Sequence, residues 1–577
     1  MKLLLYYLKN YKKLIILNVF SCFGFILVEL GIPTIISKVI DEGIALNNID
    51  YIRKMGIYIV IISILGVLGT ILLGYCGVKI STSVTKDIRN DIFKKVQEFS
   101  HSEYDKFGVS SMITRTTNDT LVLMQFLNVS LKSALLAPMM FIFSFSMIIK
   151  TSKYLSGVLL IIIPIIILGV ILISKISHPI SQEQQKYLDK LNRICRENLT
   201  GIRVIRAFGN DNYEKNRFDN TNDKYTDVSK SLNKLMLVAR PTFFLVFNIG
   251  VIIVFWISSK MINMRTLQVG QLVAFIEYLF NALFSVILFC NVFIMYPKAQ
   301  ASSNRIQELL ETEPLVQNPI RGVKDTDIRA SIEFNNVTFT YPNGKEPVIR
   351  NISFKGEKGQ TIAFIGSTGS GKSSLINLIP RFYDVTKGSI KIDGIDIREY
   401  DLKELREKIG FIPQKTVLFT GSIADNIKFG KDNSSEYELI YAAKVSQAYD
   451  FIINKENKFD EMISQGGKNL SGGQKQRLSI ARAIIRKPEI YVFDDSFSAL
   501  DFKTESILRS RLKEETKESL VLVVSQRVSS IMDSDKIIVL NEGEVVGQGT
   551  HKELLENCEV YKEIAYSQLT EEELANE

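Results

Sequence analysis

"GQTIAFIGSTGSGKSSLINLI", residues 359–379, passes from an apolar run through a glycine-rich turn into a helical pattern. The β-branched and aromatic residues up to Ile365 read as a buried strand, and those from Lys372 onward as a helix. Between them Gly366, Ser367, Thr368, Gly369, Ser370, Gly371, Lys372 and Ser373 complete G-x-x-x-x-G-K-[ST] in the strand–loop–helix setting the pattern requires. Glycines there let successive backbone N–H groups converge on phosphates at the positive end of the following helix. Lys372 is expected to reach the β- and γ-phosphates and the Ser373 hydroxyl to ligate Mg²⁺, with Ser374 completing the nucleotide-binding loop.

About 120 residues further on, "IYVFDDSFSALD" (490–501) ends a short apolar strand in two carboxylates, Asp494 and Asp495. Asp494 is the expected partner of such a loop, reaching the metal through a water. Asp495 is either a catalytic base or the mark of a site that has lost its catalysis. Between the two motifs lies "NLSGGQKQRLSIARAI", in which Leu470, Ser471, Gly472, Gly473 and Gln474 open a helix. Ser471 is a natural N-cap, and the glycines admit close backbone approach, so this reads as a second anion-binding helix start. One nucleotide needs no second cradle on the same chain, unless that cradle serves a nucleotide held by another subunit.

The rest of the chain is of a different kind. Its 577 residues exceed what one core of about 250–300 residues accommodates. Hydrophobic residues make up 46% and the mean hydropathy is +0.11, with the apolar runs crowded into the first half. Six segments are long enough to cross a bilayer, at about 14–40, 55–75, 131–149, 155–173, 236–258 and 271–294. "LLIIIPIIILGVILI" has no polar face, which excludes an ordinary buried helix. The net charge of +8 lies largely between the apolar runs, as in membrane-protein loops, so no nucleic-acid partner is expected. The five cysteines are scattered without a CxxC pair, and the amino terminus has no small-residue cleavage site of a signal peptide.

The second-to-third and fourth-to-fifth connections are each about fifty to sixty residues long and hold basic clusters, which places them in the cytoplasm. Both show helical periodicity, in "VTKDIRNDIFKKVQEF" and "YLDKLNRICRENLTGIRVIRAF", so the spans should continue as helices well beyond the membrane. Glu29, Arg240, Asn248, Glu277 and Asn281 fall within or near spans. Such groups face a cavity or a partner more often than lipid. Glu29 or Glu277 attracting cationic substrates, and plain helix-to-helix hydrogen bonding, are both open readings.

Six spans with two long cytoplasmic connections, then the phosphate loop, "LSGGQ" and "FDDSFSALD", resemble an ATP-binding-cassette (ABC) exporter half-transporter over nearly the whole chain. The resemblance implies an all-α six-helix transmembrane domain (1–313), a linker (314–330) and an α/β P-loop nucleotide-binding domain with a helical signature subdomain (331–577). It implies ATP and Mg²⁺ as ligands, a multi-pass location in a bacterial cytoplasmic membrane in contact with lipid, and a dimer with two ATP molecules sandwiched head to tail. Carried over residue by residue, Tyr341 in "FTYPNG" is the adenine-stacking aromatic and Gln414 the glutamine that meets Mg²⁺, alongside Ser373 and Asp494. Leu470 to Gln474 complete the partner's ATP site, and Ser498, Ala499, Leu500 and Asp501 form the loop crossing the dimer interface. The turn near Arg115–Asp119 and the segment Thr200–Ala207 resemble the two elements that dock onto nucleotide domains.

Two departures from the family pattern fall at hydrolysis. Asp495 stands where glutamate polarises the attacking water, so its carboxylate sits roughly 1–1.5 Å too far back. Gln526 stands where histidine contacts the γ-phosphate, and glutamine cannot become cationic. Gln465 and Gly466 replace a further Glu–Arg pair found in many homodimeric members. The pattern resembles the degenerate-site subunit of bacterial heterodimeric multidrug exporters, whose partner half-transporter carries the intact glutamate. ATP-driven export of hydrophobic or amphipathic small molecules is therefore the expected activity. Lipid or peptide export, and an ATP-gated regulatory or channel subunit, are the alternatives.

Overall fold

The computed structural model describes residues 1–323, 329–342 and 344–569, apart from the side chains of Val170, Ser174, Ala239 and Arg240. The Arg240 side chain and the middle of the 314–330 linker thus lie outside the described residues. The chain forms two compact units, Met1–Gln97 with Ser110–Thr312 and Glu98–Val109 with Glu313–Glu577.

In the first unit, among the described residues, six helices are long and apolar enough to cross a membrane: Lys2–Ile44, Ile49–Glu98, Val109–Thr151, Ser156–Phe208, Asp211–Asn263 and Val269–Glu311. Each contains one apolar run of the sequence, in order. The fourth and fifth are 53 residues long, about 80 Å at 1.5 Å per residue, against a hydrocarbon core of about 30 Å. The long connections are therefore the spans themselves, continued as helix, and the turns at the other ends (45–48, 152–155 and 264–268) are short. A core including Ile26, Leu136, Leu159 and Phe275 holds the unit together. The first two spans approach closely at glycines: a Cβ on Gly69 would come within 2.9 Å of the Gly24 Cα. Within the spans, the Asn281 amide donates to the Glu29 carbonyl at 3.2 Å, and the Asn248 amide to the Phe244 carbonyl at 2.8 Å. Glu277 is exposed on this unit, close enough to Glu29 for their carboxylates to interact electrostatically.

Arg115–Asp119 does not behave as a docking turn. It is a π-helical segment of the first unit in which Arg115 and Asp119 are buried. Arg115 pairs with Glu308 at 3.0 Å, and Asp119 with Arg305 and with the Ser302 hydroxyl at 2.9 Å. Charges nearly two hundred residues away neutralise this segment, and that pairing is invisible in the local sequence. Thr200–Ala207 lies on the first unit and is largely exposed.

The second unit is built on ten principal strands: β1 (Ile332–Phe339), β2 (Ile349–Gly356), β3 (Thr361–Gly366), β4 (Lys387–Ile392), β5 (Ile395–Asp396), β6 (Ile409–Ile412), β7 (Ile490–Asp494), β8 (Leu520–Val524), β9 (Lys536–Asn541) and β10 (Glu544–Gly549). They make a four-stranded sheet, β2-β1-β4-β5, and a six-stranded sheet, β10-β9-β3-β8-β7-β6. The latter is parallel except at β10. Its central strands are buried along their length, which is why they read as unbroken apolar runs. One core packs this sheet against the other through Phe334, Phe354 and Phe364; a second packs its opposite face against helices through Phe493, Leu478 and Tyr561. A buried ion triad braces the β4–β7 region. The Lys408 ammonium lies 3.0 Å from Asp393, which is fully buried, and 3.0 Å from Glu489.

The second unit also contains Ser100–Phe107, which comes from the first half of the chain. Ser100 and Glu103 form a capping box, with the Ser100 N–H donating to Glu103 Oε2 at 2.8 Å, and this starts the helix His101–Phe107. The His101 ring stacks on Phe382 with centroids 4.5 Å apart, and the Tyr383 hydroxyl donates to Asp105 at 3.3 Å. Burial against Phe382 pushes the imidazole below its usual value of 6.5, aided by Arg406 and opposed by Asp105. The packed form therefore favours neutral His101, and the contact is complete above about pH 6.5 and weakens as pH falls below it. Hydrogen-exchange protection of residues 100–107, corrected for intrinsic rates, is expected to be lower at pH 5.5 than at pH 7.5. His101→Leu should abolish that difference.

Candidate nucleotide site

β3 delivers the phosphate loop and β7 delivers the two aspartates, with β8 between them, so both motifs leave the same edge of one parallel sheet. The loop needs its glycines. A Cβ on Gly366 would lie 2.1 Å from the Leu540 carbonyl, and Gly371 has φ +96°. Ser367, Thr368 and Gly369 form an exposed rim, whereas Ser370 is buried beneath it. Lys372 is buried and folds back into its own loop, donating to the carbonyls of Gly366 and Ser367, each at 2.7 Å, and to Ser370 Oγ at 3.2 Å. Burial pulls its ammonium below the usual lysine range, and Asp495 and Asp494 oppose this.

The Ser373 hydroxyl donates to Asp494 Oδ1 at 3.2 Å. Burial pushes the Asp494 carboxyl up, with the Ser373 bond as the main opposing influence. Two hard oxygen donors beside a phosphate loop suit Mg²⁺. Next along the chain, Asp495 adopts φ +45°, a region aspartate tolerates better than most residues. Its Oδ2 accepts from the Gln414 amide at 3.1 Å. Burial raises this carboxyl too, while the Gln414 bond, Arg527, Lys372 and the Gln526 N–H pull it down. Lys372, Ser373, Asp494, Asp495 and Gln414 thus form one cluster.

The Gln526 side chain is exposed, and while its N–H meets Asp495 its carbonyl is held from outside the cluster. Gln568 donates to the Gln526 carbonyl at 2.8 Å and accepts from the Val528 N–H at 2.9 Å. Arg527 donates to the Ser498 carbonyl at 3.3 Å and pairs with Glu505 at 3.5 Å. These ties of Gln568 and Arg527 were not foreseen from sequence. Neither residue lies in a local motif that announces them.

Tyr341 is partly buried. Its hydroxyl lies 2.9 Å from Ser374 Oγ, and its ring meets Tyr383 edge-on at 5.2 Å. Leu470 to Gln474 sit apart from the phosphate loop, with no hydrogen bond to it among the described residues. Ser471 caps the helix Gly472–Ile484, accepting from the Gln474 N–H, while Gln474 Oε1 accepts from the Ser471 N–H at 3.0 Å. Leu470 is buried in the core, Ser471 and Gly472 are exposed, and Gly473 and Gln474 are half-buried. This helix start adjoins the interface loop: a Cβ on Gly473 would lie 3.1 Å from the Ala499 carbonyl. In that loop Ser498 and Ala499 are exposed and Leu500 is buried, while Asp501 caps the next helix by accepting from the Thr504 N–H at 2.9 Å.

Comparison with known proteins agrees with this arrangement. Residues 14–287 match the ABC transporter transmembrane region family, and residues 349–498 match the ABC transporter family. The chain is 36% identical over 545 residues, 94% of each chain, to the uncharacterized ABC transporter ATP-binding protein YfiB of Bacillus subtilis. It is 34% identical, over 98% of each chain, to the uncharacterized ABC transporter ATP-binding protein MT1311 of Mycobacterium tuberculosis. It is also 30% identical, over 94% of this chain and 93% of the other, to the uncharacterized ABC transporter ATP-binding protein YknU of Bacillus subtilis, and 30% identical to the ATP-dependent lipid A-core flippase of Pasteurella multocida with the same coverage. In fold it is similar to a bacterial Atm1-family ABC exporter solved with ATP bound, with a TM-score of 0.82 at 23% identity, covering 98% of this chain and 99% of that one. A transmembrane unit of six spans, fused to a cassette with a complete phosphate loop, accounts for the match along the full chain. The chain belongs to the ABC transporter family as an exporter half-transporter, a multi-pass membrane protein of a type that generally works as a dimer and couples ATP hydrolysis to transport.

Proposed function

We propose that this chain is the degenerate-site subunit of a heterodimeric exporter in a bacterial cytoplasmic membrane, moving hydrophobic or amphipathic compounds outward. Residues 1–313 would form its transmembrane domain, 314–330 the linker and 331–577 the cytoplasmic cassette. The observation that carries the reading is Asp495: a carboxylate one methylene shorter than glutamate, accepting from the Gln414 amide at 3.1 Å, beside a Gln526 that cannot become cationic.

ATP would lie on Gly366–Ser374 with its base against Tyr341. Ser373 and Gln414, with Asp494 through a water, would hold Mg²⁺, which neutralises phosphate charge during hydrolysis. Asp495 with Gln526 would turn this nucleotide over slowly. Leu470–Gln474 and Ser498–Asp501 would face the partner's ATP, where an intact glutamate does the fast chemistry. The exposed segment Thr200–Ala207 would dock on a nucleotide-binding domain. Within the membrane, Glu29 and Glu277 would favour amphipathic cations. Lipid export is a second reading, favoured by the similarity to a lipid A-core flippase.

The test compares ATPase rates of the chain purified alone and copurified with a genomically adjacent half-transporter carrying glutamate at the position of Asp495. The mixed complex is expected to be far faster per dimer. Equal rates would sink the proposal.

A further inference from the structure

Where the fifth span ends, it frames a groove of about 390 Å³ with the turn that follows the third. Ile253, Trp256, Lys260 and Met261 line it from one helix face, at the i, i+3, i+7 and i+8 positions, and Tyr154 lines it from the turn. These residues lie at the span ends opposite the basic helical extensions, and the positive-inside bias places them at the outer leaflet.

The groove changes character along its length. Ile253 and Met261 supply an apolar floor. Trp256 and Tyr154 stand as its walls, each 75% exposed, and both are amphipathic rings of the kind that settle at headgroup depth. Lys260 lies one turn beyond Trp256 toward the aqueous end, exposed, and its ammonium makes no ion pair among the described residues. An apolar trough between aromatic walls, closed by one cation at the water boundary, complements a molecule with a hydrocarbon chain and an anionic head. We propose that this groove is a site for an acidic phospholipid of the outer leaflet. The acyl chain lies on Ile253 and Met261, and the phosphate engages Lys260.

Trp256 is the single tryptophan of the chain, so its fluorescence reports on this groove alone. The full-length protein is reconstituted in phosphatidylcholine vesicles containing rising fractions of acyl-brominated phosphatidylglycerol or acyl-brominated phosphatidylcholine, and quenching is followed. Brominated phosphatidylglycerol is expected to quench at about fivefold lower mole fraction, the preference expected from one cation near an anionic lipid surface. Lys260→Gln should erase that preference while leaving quenching by phosphatidylcholine in place, which shows the face intact, and Lys260→Arg should retain it. Equal quenching of the wild type by the two lipids would overturn the site in favour of an ordinary lipid annulus. No quenching by either would overturn it by showing the face covered by protein. A preference that survives Lys260→Gln would overturn it as well.

Discussion

Asp495→Glu is expected to raise the ATPase rate of this chain purified alone by about 10²-fold, since a carboxylate misplaced by about 1 Å costs roughly that factor. Nearby geometry bears on the size of the gain. The Gln414 amide meets Asp495 Oδ2 at 3.1 Å, and a longer side chain must either turn that bond aside or carry it outward. The backbone at φ +45° suits aspartate, so glutamate there costs stability on the order of 1 kcal/mol without touching the chemistry. Adding Gln526→His should increase the rate further by restoring a group able to carry positive charge at the γ-phosphate. Steady-state phosphate release by the full-length protein, with nucleotide binding measured in parallel, is the check. An unchanged rate in both variants, with binding preserved, would remove Asp495 and Gln526 as the cause of slow turnover. In a complex with a consensus partner the same substitution should change the total rate little, because in the proposed heterodimer the fast site would lie on the other phosphate loop.

Lys408→Met should destabilise the second unit by about 3–5 kcal/mol, the usual consequence of removing one member of a buried charge cluster. Asp393 is fully buried and Glu489 is mostly so; both face the Lys408 ammonium at 3.0 Å. Losing that cation leaves two carboxylates together in a low-dielectric region. The triad also joins parts distant in sequence, since the Ser331 N–H donates to Asp393 at 3.0 Å and the Ala330 N–H to Glu489 at 3.4 Å, so the start of β1 should loosen with it. Pulse proteolysis of the full-length protein across a denaturant series measures the loss. Replacing all three, as Lys408→Met with Asp393→Asn and Glu489→Gln, should recover most of it, because no charge of the triad is then left uncompensated and asparagine still accepts from the Ser331 N–H and tolerates the backbone at φ +56°. A loss below about 1 kcal/mol for Lys408→Met alone would show that the triad is effectively solvated.

What could be read from sequence was whatever is encoded locally. The spans are a matter of composition over about twenty residues. The phosphate loop, Gly366–Ser373, is one uninterrupted strand–loop–helix, and the helical continuation of the spans shows in their periodicity. Ser373 and Asp494 stand 3.2 Å apart across 121 positions, yet each announces itself within its own motif. Contacts without such a local announcement were misread or missed. Arg115 and Asp119 look like surface charges until Glu308 and Arg305 arrive from the sixth span. The segment "HSEYDKF" has no apolar run to mark it, although Ser100 followed by Glu103 is a helix-start signal that could have drawn notice. Lys408, Asp393 and Glu489 likewise become a unit only when the end of β4, in one sheet, meets the starts of β6 and β7, neighbours in the other.

The side chain of Gln568 grips the 526–528 loop at two points, one carbonyl and one amide. Mechanically this makes the helix Glu559–Tyr566, with the turn after it that holds Gln568, a splint for the very loop that carries Gln526. Its packing through Tyr561 and Ala565 fixes the splint to the core of the unit. Truncations, fusions or proteolytic cuts near Gln568 therefore act on the nucleotide site from behind, without altering any residue that touches the nucleotide.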